Sequence, residues 1–284
     1  MRAVLLLALL LAAIPGWAEA RRCAARDLAD ADRCNRSSPA AQTVFDREMR
    51  GIAPPAPDPV APPAWLDTDL LETQLFGLEE GASRGAPDFW PVPGWPEPDA
   101  FLMVAKRPDG PAAVLLRFVS PTAEARPEVR IIARMDAMPE DAACAPPRGG
   151  DTSRNSPYEL VPESPAVMPL RAGTTVLRFR LAASEGYAGG GASFEAVMLG
   201  VVDNGSVRPI ACIEVHGYQM FAGEWNRDGT RQHEIAEDEW HLSLGRPGPD
   251  GYRDIVARPA GRGAAVIYRW NPAARTYVIA PKAR

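Results

Sequence analysis

The densest group of acid–base and metal-binding side chains lies in the segment from His233 to His241, which reads His-Glu-Ile-Ala-Glu-Asp-Glu-Trp-His. On a helix, His233, Glu237 and His241 would share one face and could hold a metal ion. On a strand, the two histidines would be about 26 Å apart. The segment lacks the H-E-x-x-H spacing of zinc enzymes, and its flanks have a β-type pattern. We interpret it as an acidic turn that leads into a strand, and we predict neither a metal nor another cofactor. The same three residues are retained as possible binding contacts.

A second pattern that suggests chemistry is Gly-Ala-Ser-Arg-Gly over residues 81–85, which fits the G-x-S-x-G motif around the nucleophile of many hydrolases. The motif requires a buried apolar strand before the serine and a helix after it. Here Glu79 and Glu80 precede it and three prolines follow within ten residues. We therefore interpret the segment as a loop and assign no catalytic residue to it.

Two short turns carry oxygen ligands of the kind that calcium prefers. Residues 226–230 and 249–252 each contain a single Asp directly before a Gly. Calcium loops place several carboxylates at alternating positions, as in D-x-D-x-D-G. Because Asp tolerates turn dihedrals and bonds its own backbone, ordinary β-turns account for both segments.

The first twenty residues have the features of a cleaved secretory signal. Arg2 precedes an uncharged apolar stretch from Ala3 to Ile14, and the segment ends in an A-x-A pattern at Ala18 to Ala20. The apolar stretch of about 12 residues is shorter than the roughly 20 that a membrane-spanning helix requires. We predict a signal peptide over residues 1–20 and a soluble, periplasmic or secreted mature chain without a transmembrane segment.

The amino-acid composition indicates which class of protein the exported chain belongs to. The net charge of -5 argues against a nucleic-acid partner, which requires a clustered basic face. Hydrophobic residues make up 46% of the chain, which is enough for a core. The 24 glycines and 30 prolines favour many short elements joined by turns over a helical bundle.

All four cysteines, Cys23, Cys34, Cys144 and Cys212, lie after the signal, in a compartment where disulfides form. Four cysteines allow three pairings, and the sequence does not select one strictly. We favour Cys23 with Cys34, which share a short polar segment, and Cys144 with Cys212, which flank a β-rich region.

The chain divides into segments of different composition. Residues 21–52 are polar and Ala-rich, and we predict a short helical segment there, tethered by Cys23 and Cys34. Residues 53–98 contain two Pro-rich stretches, which indicate a polyproline-like linker and an irregular lead-in. We predict the β domain over residues 99–284.

Beyond residue 99, apolar runs of strand length alternate with turn residues, which is the pattern of an all-β protein. The predicted strands cover residues 101–106, 113–119, 128–135, 175–182, 194–202, 208–215, 239–244, 254–258, 265–270 and 276–280. The dipeptide Asn204-Gly205 between two of these runs predicts a hairpin. We therefore predict a mainly β fold, either an antiparallel sandwich or blade-like sheets, with a short N-terminal disulfide-tethered helical segment.

The C-terminal thirty or so residues resemble a known β unit. Gly-Tyr-Arg-Asp-Ile-Val over residues 251–256, a Gly-containing turn at 261–263, Tyr-Arg-Trp-Asn at 268–271 and Thr-Tyr-Val at 276–278 are similar to the FG-GAP or VCBS-type repeats of bacterial secreted proteins. The resemblance implies a β architecture with a binding or structural role. The chain lacks the Asp-rich calcium loop of that family.

The N-terminal cysteine segment resembles a second family. Cys23 and Cys34 are separated by ten residues, and Asp-Arg-Glu-Met follows at residues 46–49. This arrangement is similar to the small helical domain of LprI-type lysozyme inhibitors, although the gap between Cys34 and Asp46 is longer than is usual there. The resemblance implies a helical segment.

The functional hypotheses belong to two classes. The first is an exported, non-enzymatic binding or structural protein of the periplasm or cell envelope, which contacts a protein or an envelope component through tryptophans such as Trp90 and Trp225. The commoner role of tryptophan is in the core. The second is an envelope-directed hydrolase with a His/carboxylate pair, drawn from His216 or His241 with Glu214 or Glu239.

Overall fold

The computed structural model describes residues 23–25, 57–77, 87–107, 110–119, 127–135, 144, 146–147, 156–229 and 231–281. Of the predicted helical segment over residues 21–52, the structure describes only Cys23–Ala25, which form a strand. The rest of that segment and the Gly-rich loop at residues 81–85 lie outside the described residues. Fourteen strands and one helix form the regular structure of the part described. The prediction of a mainly β fold is confirmed.

The strands join into one continuous sheet. They are β1 (Cys23–Ala25), β2 (Asp88–Pro91), β3 (Ala100–Arg107), β4 (Gly110–Val119), β5 (Glu128–Met135), β6 (Glu159–Leu160), β7 (Ala166–Arg171), β8 (Thr174–Tyr187), β9 (Gly190–Asp203), β10 (Ser206–Trp225), β11 (Arg231–Pro247), β12 (Arg253–Pro259), β13 (Val266–Asn271) and β14 (Thr276–Ile279). The main path runs β14-β13-β12-β11-β10-β5-β4-β3-β2, and the β8–β9 hairpin joins it through β10. Among the described residues, all pairs of strands are antiparallel except for one parallel bridge between β5 and β10.

Two hydrophobic cores lie on opposite faces of the central strands β8 and β9. Val176 and Val197 point into the first core, and their neighbours Leu177 and Met198 point into the second. This follows from the two-residue period of a strand, which sends successive side chains to opposite faces. Strands β12 to β14 supply the other side of the first core, and β3 to β5 supply that of the second. The central strands are therefore covered on both faces.

One helix, α1 (Thr68–Phe76), covers the outer face of the β2–β4 strands. Asp67 caps its start by accepting a hydrogen bond from the Leu70 amide at 2.9 Å, and Gly77 ends it in the left-handed conformation. Leu71 and Leu75 pack with side chains from β2, β3 and β4. The segment predicted as a linker and irregular lead-in therefore contains both α1 and β2.

The predicted hairpin at Asn204-Gly205 is confirmed. Asp203 pairs with Ser206, and both central residues have positive φ, 51° for Asn204 and 78° for Gly205. Two positive values define a type I′ turn, whose twist matches that of the flanking strands. The turn therefore sets the register of β9 against β10.

The disulfide between Cys144 and Cys212 is also as predicted. Their Cα atoms are 4.6 Å apart, and Cys144 is buried in the second core, where Cys212 packs against it. Between Cys144 and β8, the chain also forms the short strands β6 and β7. Cys34 lies outside the described residues, so its pairing with Cys23 stays a prediction.

Candidate functional site

The ends of the β8–β9 and β10–β11 hairpins lie side by side. The Tyr187 hydroxyl, at the end of β8, donates toward the carbonyl oxygens of Gly191 at 3.2 Å and of Met220 at 3.1 Å. The β8–β9 turn approaches β10 so closely that a Cβ on Gly189 would lie 2.7 Å from the Cβ of Ala222. The absence of a side chain at Gly189 therefore lets the hairpins meet.

Three exposed aromatic side chains and one arginine mark this end of the molecule. Trp225 is 70% exposed, Phe221 is 42% exposed and Tyr187 is 41% exposed. The rings of Tyr187 and Phe221 stack with centroids 6.1 Å apart, and the Arg231 guanidinium carbon lies 5.4 Å from the centre of the Trp225 ring. We call these four residues the aromatic tip.

The local backbone explains why Trp225 and Arg231 meet. Trp225 pairs with Arg231 across the end of the β10–β11 hairpin, after an irregularity in register that follows Ala222. The Gly229 amide donates to the Asn226 carbonyl at 3.1 Å, as expected for the predicted β-turn. Arg231 Nε donates to the Gly223 carbonyl at 3.0 Å, which holds the guanidinium beside the indole.

A polar cluster lies further along the same hairpin. His216 on β10 is paired directly with Glu195 on β9 and with Glu239 on β11, and directly paired residues share a face. His216 Nε2 lies 3.2 Å from Glu237 Oε1. We call these four residues the His216 cluster. Burial lowers the pKa of His216, but the hydrogen bond to Glu237 and the charges of all three glutamates outweigh it, so the pKa is raised above its ordinary value.

The segment from His233 to His241 is not the acidic turn that we predicted. It lies within the single strand β11, because residues 233–239 pair one after another with β10. His233 is opposite Ala222 on β10, whereas His241 is opposite Arg258 on β12. The strand therefore separates the two histidines. Among the described residues, no group of three or more His, Cys, Asp or Glu side chains is arranged to hold a metal ion.

Glu214 does not join the His216 cluster. An irregularity in the β9–β10 register between Glu214 and His216 turns Glu214 to the other face of the sheet. There it is buried, and Oε2 accepts a hydrogen bond of 2.8 Å from the Tyr158 hydroxyl. The structure thus pairs His216 with Glu237 instead of Glu214. Sequence reasoning missed Glu195 and Tyr158, since only the tertiary structure brings them to these positions.

Trp90 is half-buried and packs against the second core, so its role is mainly structural. Its indole N–H is buried without a hydrogen-bond partner among the described residues, as is that of Trp95. Trp95 lines a groove of about 480 Å³ with Pro91, Phe101 and the exposed carboxylates Glu97 and Asp99. Of the two tryptophans named from the sequence, only Trp225 is well exposed.

Comparison of the chain with protein-family models, with curated proteins and with solved structures finds no match in any of the three. Of the helices in the part that the structure describes, none has the length and apolarity to cross a membrane. The part of the molecule that the structure describes is thus mainly β, with an exposed aromatic tip and a half-buried His–Glu cluster on the β10–β11 hairpin.

Proposed function

We propose that this chain is an exported, non-enzymatic binding protein of the bacterial periplasm or cell envelope, and that the aromatic tip is its contact surface for another protein. The observation that supports this proposal is the exposure of Trp225, 70% of which faces solvent at the end of a hairpin. Tryptophan is normally buried to a large extent, so a side chain held out in this way is a candidate contact.

The composition of the tip favours a protein partner. Trp, Tyr and Arg are the residues that most often dominate the binding energy of protein interfaces. Arg231 is held against Trp225 by its hydrogen bond to Gly223, and Tyr187 is held by its hydroxyl. Because these side chains are already ordered, less conformational entropy is lost when a partner covers them.

The alternative hydrolase has one observation in its favour, the hydrogen bond between His216 and Glu237. Such a pair needs a nucleophile within reach of the imidazole. Among the described residues, no serine hydroxyl is hydrogen-bonded to His216. Ser243, on the same strand as Glu237, instead accepts a hydrogen bond from Arg258 at 2.7 Å. The binding function accounts for more of the geometry.

The test places a photo-crosslinking amino acid at position 225 or at position 65 in bacteria that export the protein. Trp65 is a matched control, since it is another exposed tryptophan, at 44%, and lies far along the chain from the tip. We expect a discrete adduct with one protein from position 225 and none from position 65. The purified partner should bind the Trp225→Ala variant about 30-fold more weakly, the effect of losing an interface hot spot.

Equal labelling from the two positions would contradict the proposal, as would unchanged affinity of Trp225→Ala. Hydrolysis of envelope material by the purified protein, lost in His216→Gln but retained in Trp225→Ala, would favour the hydrolase instead.

A further inference from the structure

The groove beside Trp95, which we call the Trp95 groove, is separate from the aromatic tip. Its volume is about 480 Å³, and its described lining comes from β2, the β2–β3 loop, the start of β3 and the segment before α1. Most of the wall consists of rings, those of Pro57, Pro91, Pro93, Pro98, Trp95 and Phe101. Sites for small organic molecules measure about 300–1,000 Å³ and are lined mainly by apolar and aromatic side chains with a few polar groups. The Trp95 groove has the size and the lining of such a site.

Hydrogen bonds fix the shape of the Trp95 groove. The Val92 amide donates to the Ala100 carbonyl at 2.9 Å, and the Trp95 amide donates to the Val92 carbonyl at 3.2 Å. The hydroxyl of Ser164, a buried residue, donates to the Pro91 carbonyl. The prolines of the wall also have a fixed φ. Because the walls are already ordered, little conformational entropy is lost when a ligand binds.

The charged groups of the Trp95 groove are negative. Glu97 and Asp99 line it, both are exposed, and neither forms an ion pair with another described residue. Residues 57–77 and 87–105, which supply the lining, contain no Lys or Arg. Arg117 on β4 approaches the loop, but its Nε donates to the Pro98 carbonyl at 3.0 Å and it is not among the described lining residues. Carboxylates without a counter-ion attract a cation, and aromatic rings beside them add a cation–π attraction.

We propose that the Trp95 groove binds a small organic cation, in which an apolar ring or short chain carries an ammonium group. The apolar part packs against the prolines, Trp95 and Phe101, and the ammonium group pairs with Glu97 and Asp99. An anion would be repelled by the two carboxylates, and a neutral molecule would gain nothing from them. The proposal goes beyond the proposed function, because none of the four residues of the aromatic tip is among the lining residues.

The first test compares two probes with the same skeleton, 4-phenylbutylammonium and 4-phenylbutanol, by isothermal titration calorimetry of the mature chain. We expect the ammonium probe to bind about fivefold more tightly than the alcohol, which is the effect of two exposed ion pairs. This preference should shrink as sodium chloride is raised from about 20 mM to about 500 mM, because salt screens exposed charges.

The double variant Glu97→Gln with Asp99→Asn tests the two carboxylates. Asn has the shape of Asp and tolerates the positive φ of 57° at position 99, so we expect the fold to be retained. This variant should bind the two probes equally. The matched control combines Glu159→Gln with Asp250→Asn, which change two exposed carboxylates outside the described lining of the groove. It should retain the preference for the ammonium probe.

NMR spectroscopy locates the site. The Trp95→Phe variant identifies the indole N–H signal of Trp95 by its loss. In the wild-type chain, this signal should shift when 4-phenylbutylammonium is added, whereas the indole signal of Trp225 should not. Failure of the groove is thereby distinguished from failure of the aromatic tip.

Equal affinity of the wild-type chain for the two probes would overturn the proposal, and so would a preference for the ammonium that survives in Glu97→Gln with Asp99→Asn. The absence of binding by either probe, or a shift at Trp225 without one at Trp95, would overturn it as well. A discrete protein adduct from a photo-crosslinking amino acid at position 98 would assign the groove to a protein partner and overturn the assignment to a small cation.

Discussion

His216 on β10 and Glu237 on β11 are joined by a hydrogen bond of 3.2 Å at the place where β11 leaves one partner for another. The pair between His216 and Glu239 is the last between β10 and β11, and the next residue, Trp240, already pairs with Pro259 on β12. Trp240 is almost completely buried in the first core. The His216 cluster therefore lies at the point where β11 crosses between two parts of the sheet.

We predict that this cluster makes stability depend on pH near neutrality. The folded state raises the pKa of His216 above its ordinary value, since Glu195, Glu237 and Glu239 surround it. A histidine whose pKa is raised by folding contributes its full stabilisation at pH values below its pKa in the unfolded chain, about 6.5. This contribution is lost as the pH rises through the higher pKa of the folded state. The free energy of unfolding should fall across that window, as urea denaturation at a series of pH values would measure.

The control for this prediction is a second histidine on the same hairpin. His216→Gln should remove the fall above about pH 6.5, whereas His241→Gln, outside the cluster, should retain it. A wild-type free energy that is flat across this window would contradict the prediction.

Local sequence patterns predicted the strands well but not their extent. All ten predicted strands overlap observed ones, because alternating apolar residues are visible without knowledge of the fold. β10 extends ten residues beyond its prediction, to Trp225, where polar residues such as His216 and Gln219 interrupt the apolar pattern. Those residues pair because β9 and β11 lie on both sides, which no local pattern reveals.

Local sequence patterns also predict only part of the candidate functional site. The exposure of Trp225 follows from its position at a turn that the sequence predicted. The His216 cluster needs the register of three strands, which is a property of the tertiary structure. Glu195 is distant in sequence from Glu237, and only hairpin pairing brings both to His216.

The type I′ turn at Asn204-Gly205 predicts how much a glycine-to-alanine substitution lowers the free energy of unfolding. Gly205 has φ of 78°, and a Cβ there would meet no atom within 4 Å, so Gly205→Ala tests backbone strain alone. We expect a loss of about 1 kcal/mol in the free energy of unfolding. Gly261→Ala is the control, since its Cβ would also meet nothing and its φ is not in the left-handed range. Equal values for the two variants would contradict the turn assignment.

The predicted signal peptide over residues 1–20 has a direct biochemical test. When the full chain is expressed in a bacterium, the protein recovered from the periplasm should begin at Arg21, because the A-x-A pattern directs cleavage after Ala20. N-terminal sequencing and intact mass measure this. Recovery of uncleaved protein in a membrane fraction would contradict export by a cleaved signal.

The buried hydrogen bond from Tyr158 to Glu214 should contribute more to stability than an exposed one. Glu214 is 6% exposed and Tyr158 is 7% exposed, and their oxygens are 2.8 Å apart. Tyr158→Phe deletes only the hydroxyl, so the carboxylate loses a donor in a site with little water. We expect a loss of about 2 kcal/mol in the free energy of unfolding. Tyr187→Phe, whose hydroxyl is exposed, should lose less than about 0.5 kcal/mol.

The disulfide between Cys144 and Cys212 should dominate the covalent contribution to stability. It spans 68 residues of sequence and attaches the segment around Cys144 to the middle of β10. A cross-link of this span is expected to contribute about 4 kcal/mol by restricting the unfolded chain. Replacing both residues by Ala should therefore lower the urea midpoint clearly.

The matched comparison is the double replacement of Cys23 and Cys34 by Ala. If these two residues form the predicted short bridge, the same relation gives a smaller effect, because loop-closure entropy grows with the length of the loop. Peptide mapping under non-reducing conditions should show Cys144 joined to Cys212. Equal midpoints for the two double variants would contradict the expected order, and a peptide joining Cys23 to Cys212 would contradict the pairing itself.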